Sequence, residues 1–195
     1  MKISIKITTI VFLIVFATSC NKDDDATKNN DLVFENLNSV NIPDKTDTFP
    51  ELPITSEINV TATGSLKDLS KFTLEMNIEH NYQRDLQFEL IAPDGTTKTF
   101  IYRRGLAGKY LANQKLRFNS TFTNQLSDDG IDFLEGNYKE CKGSVSSNPP
   151  PVEPIFLFLQ NKNVNGVWKL RATDWEVVNS GSIKSWRLVF NEGAF

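Results

Sequence analysis

Few residues in this chain could carry out chemistry, and His80 comes first because it is the only histidine. It stands in the stretch HNYQRDLQFEL, five residues before Asp85. An imidazole oriented by a carboxylate is the base of a serine or cysteine hydrolase when a nucleophile lies beside it. The sequence contains no G-x-S-x-G nucleophile motif. We therefore favour the structural alternative, in which His80 and Asp85 shape the connection between two strands.

Cys141 is the second candidate for chemistry, because a thiolate beside His80 would be a nucleophile. It lies in the stretch KECKG, whose flanking lysines favour the thiolate form of the side chain. Nothing else around it indicates an acyl-transfer site, and a buried or half-buried structural thiol is the simpler interpretation. With one histidine and, if Cys20 carries lipid, one free cysteine, the chain also has too few ligands for a transition-metal site.

The first residues have the pattern of an export signal. Lys2 and Lys6 precede the short apolar run ITTIVFLIVFA, and the small residues ATS then lead to Cys20. This pattern predicts a signal peptide over residues 1–19. The ATSC stretch resembles a bacterial lipobox, which implies cleavage before Cys20 and attachment of lipid to its thiol. The alternative is an ordinary signal peptide with a chance cysteine.

The following segment is polar and has few aromatic residues, so we predict a flexible tether over residues 20–49. Its start, NKDDDATKNN, resembles the acidic signal that sends some lipoproteins to the outer face of the outer membrane. We therefore expect a lipid-anchored protein at the surface of a Gram-negative cell. The chain carries a formal net charge of −3, and no basic surface of the kind that binds nucleic acid is expected.

From residue 50 onward the sequence has the alternation of β-strands. In KFTLEMNIEH the apolar residues Phe72, Leu74, Met76 and Ile78 alternate with polar ones, which indicates a strand with one buried face. The turn sequence PDG separates two more alternating runs and predicts a hairpin. IFLFLQ is apolar throughout and predicts a buried central strand. No long amphipathic helix is found, so residues 50–195 are predicted to form an all-β, antiparallel β-sandwich.

Four pieces of this region resemble the P domain, also called Homo B domain, of proprotein-convertase-type subtilisin proteases. In order they are IEHNYQRDLQFELIAPDGT, YRRG, LSDDG and NGVWKLRATDWEVVNSGSIKSWRLVF, and the resemblance runs from about residue 56 to residue 191. It implies a jelly-roll, galactose-binding-like sandwich. In the family this domain follows a subtilisin catalytic domain and stabilises it, and some members bind calcium. No subtilisin catalytic sequence accompanies the domain here, so we expect a non-catalytic module.

Calcium is the cofactor that the resemblance favours. Ca²⁺ is held by carboxylate and carbonyl oxygens, and four aspartates at predicted strand–loop junctions match acidic positions of the family: Asp85, Asp128, Asp129 and Asp174. The alternative is that these side chains cap turns and face water.

The expected function is binding. The partner would be a protein, a separately encoded protease or a glycan, and Tyr110, Tyr138 and Trp175 in predicted loops are the candidate contacts for a glycan or another partner. Trp168 and Trp186 lie within strands and are expected in the core. The rival hypothesis is a hydrolase related to peptidases.

Overall fold

The computed structural model describes residues 30–45, 53–103, 110–124, 135–139 and 155–195. These residues form ten strands and three short 3-10 helices. The strands are β1 Leu32–Asn36, β2 Val40–Ile42, β3 Ile54–Val60, β4 Phe72–His80, β5 Leu86–Ile91, β6 Thr97–Tyr102, β7 Leu111–Phe118, β8 Gly136–Tyr138, β9 Gly166–Asp174 and β10 Gly181–Phe190. The 3-10 helices cover Leu69–Lys71, Gln83–Asp85 and Ile155–Leu159.

The strands form two sheets, which confirms the predicted all-β sandwich. The larger sheet has the order β1-β10-β4-β7-β8, and β2 pairs with β10 on the same side as β1. The smaller sheet has the order β3-β9-β5-β6. All pairs are antiparallel except β7 with β8, which is parallel. No helix in the described part of the chain has the length and apolar character to cross a membrane.

Aromatic side chains fill the space between the sheets. Trp168 stacks on Phe72 with 6.1 Å between ring centroids, and Phe156 meets the same Phe72 ring edge-on at 5.1 Å. Trp186 is also buried, and its indole nitrogen donates to the Ser56 hydroxyl at 2.9 Å. Both tryptophans are therefore core residues, as predicted. The alternating apolar residues of β4 line this core, and the polar residues between them, Thr73, Glu75 and Asn77, face the other side of the sheet.

The predicted strand in IFLFLQ is wrong. Residues Ile155–Leu159 form a 3-10 helix, in which side chains three positions apart lie above one another. Phe156 and Leu159 are buried on that face, whereas Leu157 between them is 56% exposed. The run is apolar because one face packs on the core, and its period is three rather than two.

The predicted tether over residues 20–49 is wrong for its described central part. β1 pairs with β10 along five residues, and β2 pairs with the first part of the same strand. Ile42 is fully buried in the core. We call residues 31–45 the N-terminal strap, because they lie along the β10 edge of the larger sheet. The signal peptide and Cys20 lie outside the described residues.

Candidate functional site

His80 stands at the last position of β4 and is fully buried. Its Nε2 lies 3.1 Å from Oδ2 of Asp174, at the end of β9. Its Nδ1 lies 2.8 Å from the carbonyl oxygen of Tyr82 and 3.1 Å from the Tyr82 nitrogen. The acid that contacts His80 is therefore Asp174 and not Asp85. Among the described residues, no hydroxyl or thiol side chain is hydrogen-bonded to the imidazole, so both ring nitrogens contact the scaffold.

Asp85 ends the short helix that joins β4 to β5, and it is 2% exposed. Its Oδ2 accepts a hydrogen bond from the Asn179 amide at 2.9 Å. The pKa of this carboxyl is raised to about 6, first by burial and second by the neighbouring Asp174 carboxylate, while Asn179 and His80 act in the opposite direction. The Asp85 side chain thus ties the β4–β5 connection to the β9–β10 loop, and its assignment as a structural residue stays a prediction.

Gly181, the first residue of β10, makes this packing possible. A Cβ atom built on it would stand 2.1 Å from the carbonyl oxygen of Glu79 and 2.6 Å from Cδ2 of His80. No side chain fits in that space, so glycine is required wherever His80 packs against β10 in this way. The Gly-Ser-Ile stretch of the sequence marks this close approach.

The loop over residues 175–180 lies above the buried acids and carries an unusual residue. Val178 has φ +77° and is 83% exposed. This conformation is strained for a β-branched residue and persists only where the surroundings impose it. Asp44 imposes it, because its carboxylate accepts from the backbone nitrogens of Val178 at 2.9 Å and Asn179 at 3.3 Å.

Two cationic side chains also hold this loop. Lys45 donates to the carbonyl oxygen of Trp175 at 3.1 Å. Arg103 directly follows β6 and forms an ion pair with Glu176. Arg103 itself has φ +49°. Two strained non-glycine residues therefore meet at one end of the sandwich. We call this surface the loop end; it comprises residues 43–45, 81–85, 103, 110 and 175–180.

The loop end also exposes apolar side chains. Val177 is 42% exposed beside Val178, and Tyr110 is 50% exposed. Tyr110 directly precedes β7, whose first residue pairs with His80, so it lies at the same end of the sheet. Trp175 is half-buried, donates to the Gln87 side chain at 3.0 Å and packs edge-on against Tyr102.

The predicted glycan contacts are thus divided between two places. Tyr138 lies on β8 opposite Phe118, at the far end of β7 from Tyr110. Eight strand residues separate these positions along β7, which is about 25 Å. Tyr110 and Tyr138 therefore cannot form one stacking platform, and Trp175 already bonds to its own sheet.

Of the four predicted calcium ligands, Asp85 and Asp174 lie within the described residues, and they lie close together. Asp85 and Asp174 lie close enough for one carboxylate to affect the other, but Asp174 contacts His80 and accepts from the Glu176 nitrogen, and Asp85 accepts from Asn179. Within the described ranges, no group of three or more His, Cys, Asp or Glu side chains is arranged to hold a metal ion. Asp128, Asp129 and Cys141 lie outside these ranges.

Comparison with known proteins identifies the region that contains His80 and Asp85. Residues 69–131 match the family model of the proprotein convertase P-domain. Curated relatives include leupeptin-inactivating enzyme 1 of Streptomyces exfoliatus, 28% identical over 158 residues, and the transglutaminase-activating metalloprotease of Streptomyces mobaraensis, 30% identical over 158 residues. The matches cover 80% and 81% of this chain.

This chain spans 26% and 15% of those two relatives, so it corresponds to a minor part of each. Among solved structures, the serine protease of Aeromonas sobria matches 82% of this chain and 27% of its own, with 14% identity and a TM-score of 0.40. The complex of that protease with its chaperone matches 83% of this chain and 28% of its own, with 14% identity and a TM-score of 0.39.

Proposed function

We propose that this chain, which carries a proprotein convertase P domain, is a non-catalytic accessory module that binds a protease through the loop end. In the proposal, lipid on Cys20 holds the module at the outer surface of a Gram-negative cell. The single observation that carries the binding role is the strained and exposed Val178, which Asp44 fixes in place.

The loop end supports a protein partner because it is both apolar and pre-organised. Val177, Val178 and Tyr110 expose large apolar side chains. The loop over residues 175–180 is held by hydrogen bonds to Asp44, Asp85 and Lys45. A loop that is already ordered loses little conformational entropy on binding. The matching surface on the partner would be a recess with apolar walls.

A protease is the proposed partner because of the relatives. One is named as an inactivating enzyme for leupeptin and the other as a metalloprotease, and this chain corresponds to a minor part of each. A region that accompanies a catalytic domain in one chain can act on a separate chain if the same contact surface is kept. We infer that this chain supplies an accessory part that binds a catalytic partner.

Site-specific photocrosslinking tests this proposal. A benzoylphenylalanine at position 178 of the full-length chain, in the cells that make it naturally, should crosslink a protease identified by mass spectrometry and by an activity probe. Position 167 is the matched control, because Val167 is an exposed valine at the opposite end of β9. Equal crosslinking from both positions, or crosslinked proteins without a protease among them, would refute the assignment.

The rival function is a hydrolase, and the contacts of the buried His80 imidazole argue against it. His80 Nε2 contacts Asp174 and Nδ1 contacts the Tyr82 backbone, which leaves no ring nitrogen facing a substrate. The purified full-length chain should not hydrolyse fluorogenic peptides or esters. Turnover that disappears in a folded His80→Ala variant would overturn the non-catalytic proposal.

The anchor is a separate part of the proposal, supported by the ATSC stretch before Cys20. Metabolic labelling with an alkyne-tagged fatty acid should mark the chain, and Cys20→Ala should abolish the label. Surface location would follow if added protease removed the domain from intact cells. Label that persists in the variant would show that Cys20 is not the lipid site.

A further inference from the structure

A groove crosses the outer face of the larger sheet, away from the loop end. Its volume is about 460 Å³, within the range of small-molecule sites. Strands β10, β4 and β7 form the floor. Residues of β1 and the turn after it form one wall, and residues at β8 form the other. The sandwich core does not use this face, so its side chains are available for another role.

One row of side chains runs straight across the floor. Strand register places in line, on successive strands, Glu35, Arg187, Glu75, Arg117 and Asn137. The Glu75 side chain is only 11% exposed, and its two oxygens accept separately from Arg117 at 2.6 Å and from Arg187. These bonds fix both guanidinium groups, while further N–H donors of Arg187 stay open to a ligand.

A second row lies beside the first and contains an unsatisfied acceptor. Register places Ser185, Asn77 and Lys115 in line on β10, β4 and β7. The Oδ1 atom of Asn77 is buried and accepts no hydrogen bond from any described residue. A buried acceptor without a donor is unfavourable. This oxygen is covered, so a ligand reaches it once the Asn77 side chain turns toward the groove, and a hydrogen bond donated there would remove that cost. Ser185 and Lys115 supply donors on either side.

The charge of the groove selects the ligand class. Its lining carries three carboxylates, Glu35, Glu75 and Glu135, and three cations, Lys115, Arg117 and Arg187. Opposite charges balance and alternate, so neither a polyanion nor a polycation is favoured. Acceptors and donors are interleaved at the spacing of neighbouring strands, about 4.8 Å. A hydroxyl group suits such a surface because it both donates and accepts.

We propose that this groove binds an uncharged, hydroxyl-rich carbohydrate of about two sugar rings. A hydroxyl donates to Asn77 Oδ1, and neighbouring hydroxyls accept from Lys115 and Arg187. Leu37, 69% exposed on the wall, contacts the C–H face of a ring. Among the described residues that line the groove, the one aromatic is Trp186, and its ring lies in the core. Without a stacking platform, binding is weak, with a Kd of about 1 mM.

The experiment measures binding of the full-length chain to neutral gluco-, xylo-, manno- and galacto-oligosaccharides of about two to four rings, by isothermal titration and saturation-transfer NMR. At least one series should bind. Asn77→Leu should weaken binding at least tenfold without lowering the melting temperature, since the variant also loses a buried unsatisfied acceptor. Lys115→Ala provides a second variant at an exposed position.

Two controls keep this result separate from the proposed protease binding. Lys169→Ala removes a half-exposed lysine of the other sheet, and Val178→Gly changes the loop end; both should bind sugar as the unmodified chain does. The proposal is refuted if no sugar binds, or if Asn77→Leu and Lys115→Ala bind sugar as well as the unmodified chain does. A negative result here leaves crosslinking from position 178 unaffected.

Discussion

At the scale of single residues, Asp85 shows how burial changes the chemistry of a carboxylate. Its pKa is raised to about 6, by burial first and by Asp174 second, with Glu176 adding to the rise. The folded state therefore binds more protons than the unfolded state between about pH 4 and pH 6. This contribution to stability is fully present below pH 4 and is lost as the pH rises through 6.

The prediction is that Asp85→Asn stabilises the fold at pH 7.5 by about 1–2 kcal/mol, because a neutral amide oxygen still accepts from Asn179. Urea denaturation in EDTA across pH 4–8 measures this, and the difference should vanish near pH 4. Asp94→Asn is the opposite-sign control, since Lys162 lowers the pKa of Asp94 to about 2 and the charged form is favoured. A stabilisation independent of pH would contradict the argument.

Val178 is the second residue whose conformation should measurably lower the stability of the fold. Its φ of +77° suits glycine, and its side chain is 83% exposed, so little packing is lost on its removal. We expect Val178→Gly to be neutral or to stabilise the fold by up to about 1 kcal/mol. Val177→Gly, next to it, should destabilise by about 1 kcal/mol. Thermal unfolding of both variants decides; a large loss in Val178→Gly would mean that the loop is not strained.

The sequence predicted only part of what the structure shows for His80 and Asp85. The interpretation of His80 and Asp85 as structural residues rested on the lack of a G-x-S-x-G motif, and it stays a prediction. Their true partners, Asp174 and Asn179, are 94 residues away from them in each case, and spacing along a chain does not reveal such contacts. Asp44 and Val178 are 134 residues apart. No sequence signal indicates a valine with positive φ.

At the scale of elements, alternation explains what could be predicted. Strands β4, β5, β9 and β10 show the two-residue period because one face packs on the core and the other does not. The N-terminal strap was missed because β1 and β2 are short and lie in a polar stretch. Their pairing depends on β10, at the other end of the chain, and no local pattern contains that information.

The strap can be tested directly as an element of the fold. If it were a flexible tether, substitutions within it would leave stability unchanged. Ile42 is fully buried, so Ile42→Ala should destabilise the domain by about 2–4 kcal/mol. Leu37→Ala is the control, because Leu37 is 69% exposed and should change stability by less than about 0.5 kcal/mol. If the two variants are equally stable, residues 31–45 do not stabilise the fold and form part of the tether.

At the scale of the whole molecule, the chain presents two surfaces on one sandwich. The loop end is apolar and strained, whereas the groove on the larger sheet is polar and charge-balanced. They share no residue. A module of this design can hold one partner at its end and another on its face. The net charge of −3 adds no long-range attraction to nucleic acid.

Calcium is the cofactor prediction that acts on the whole fold, because an ion that binds only the native state stabilises all of it. At a hundredfold excess over Kd the gain is about 2.7 kcal/mol. Calorimetric melting at pH 7.5 should therefore show a higher midpoint in millimolar CaCl₂ than in EDTA, and Asp174→Asn should abolish the difference. Magnesium at equal ionic strength is the control, because it demands a tighter octahedral site. Since Asp85 and Asp174 already bond to Asn179 and His80, an unchanged midpoint would mean that these two acids serve the packing of the β9–β10 loop alone.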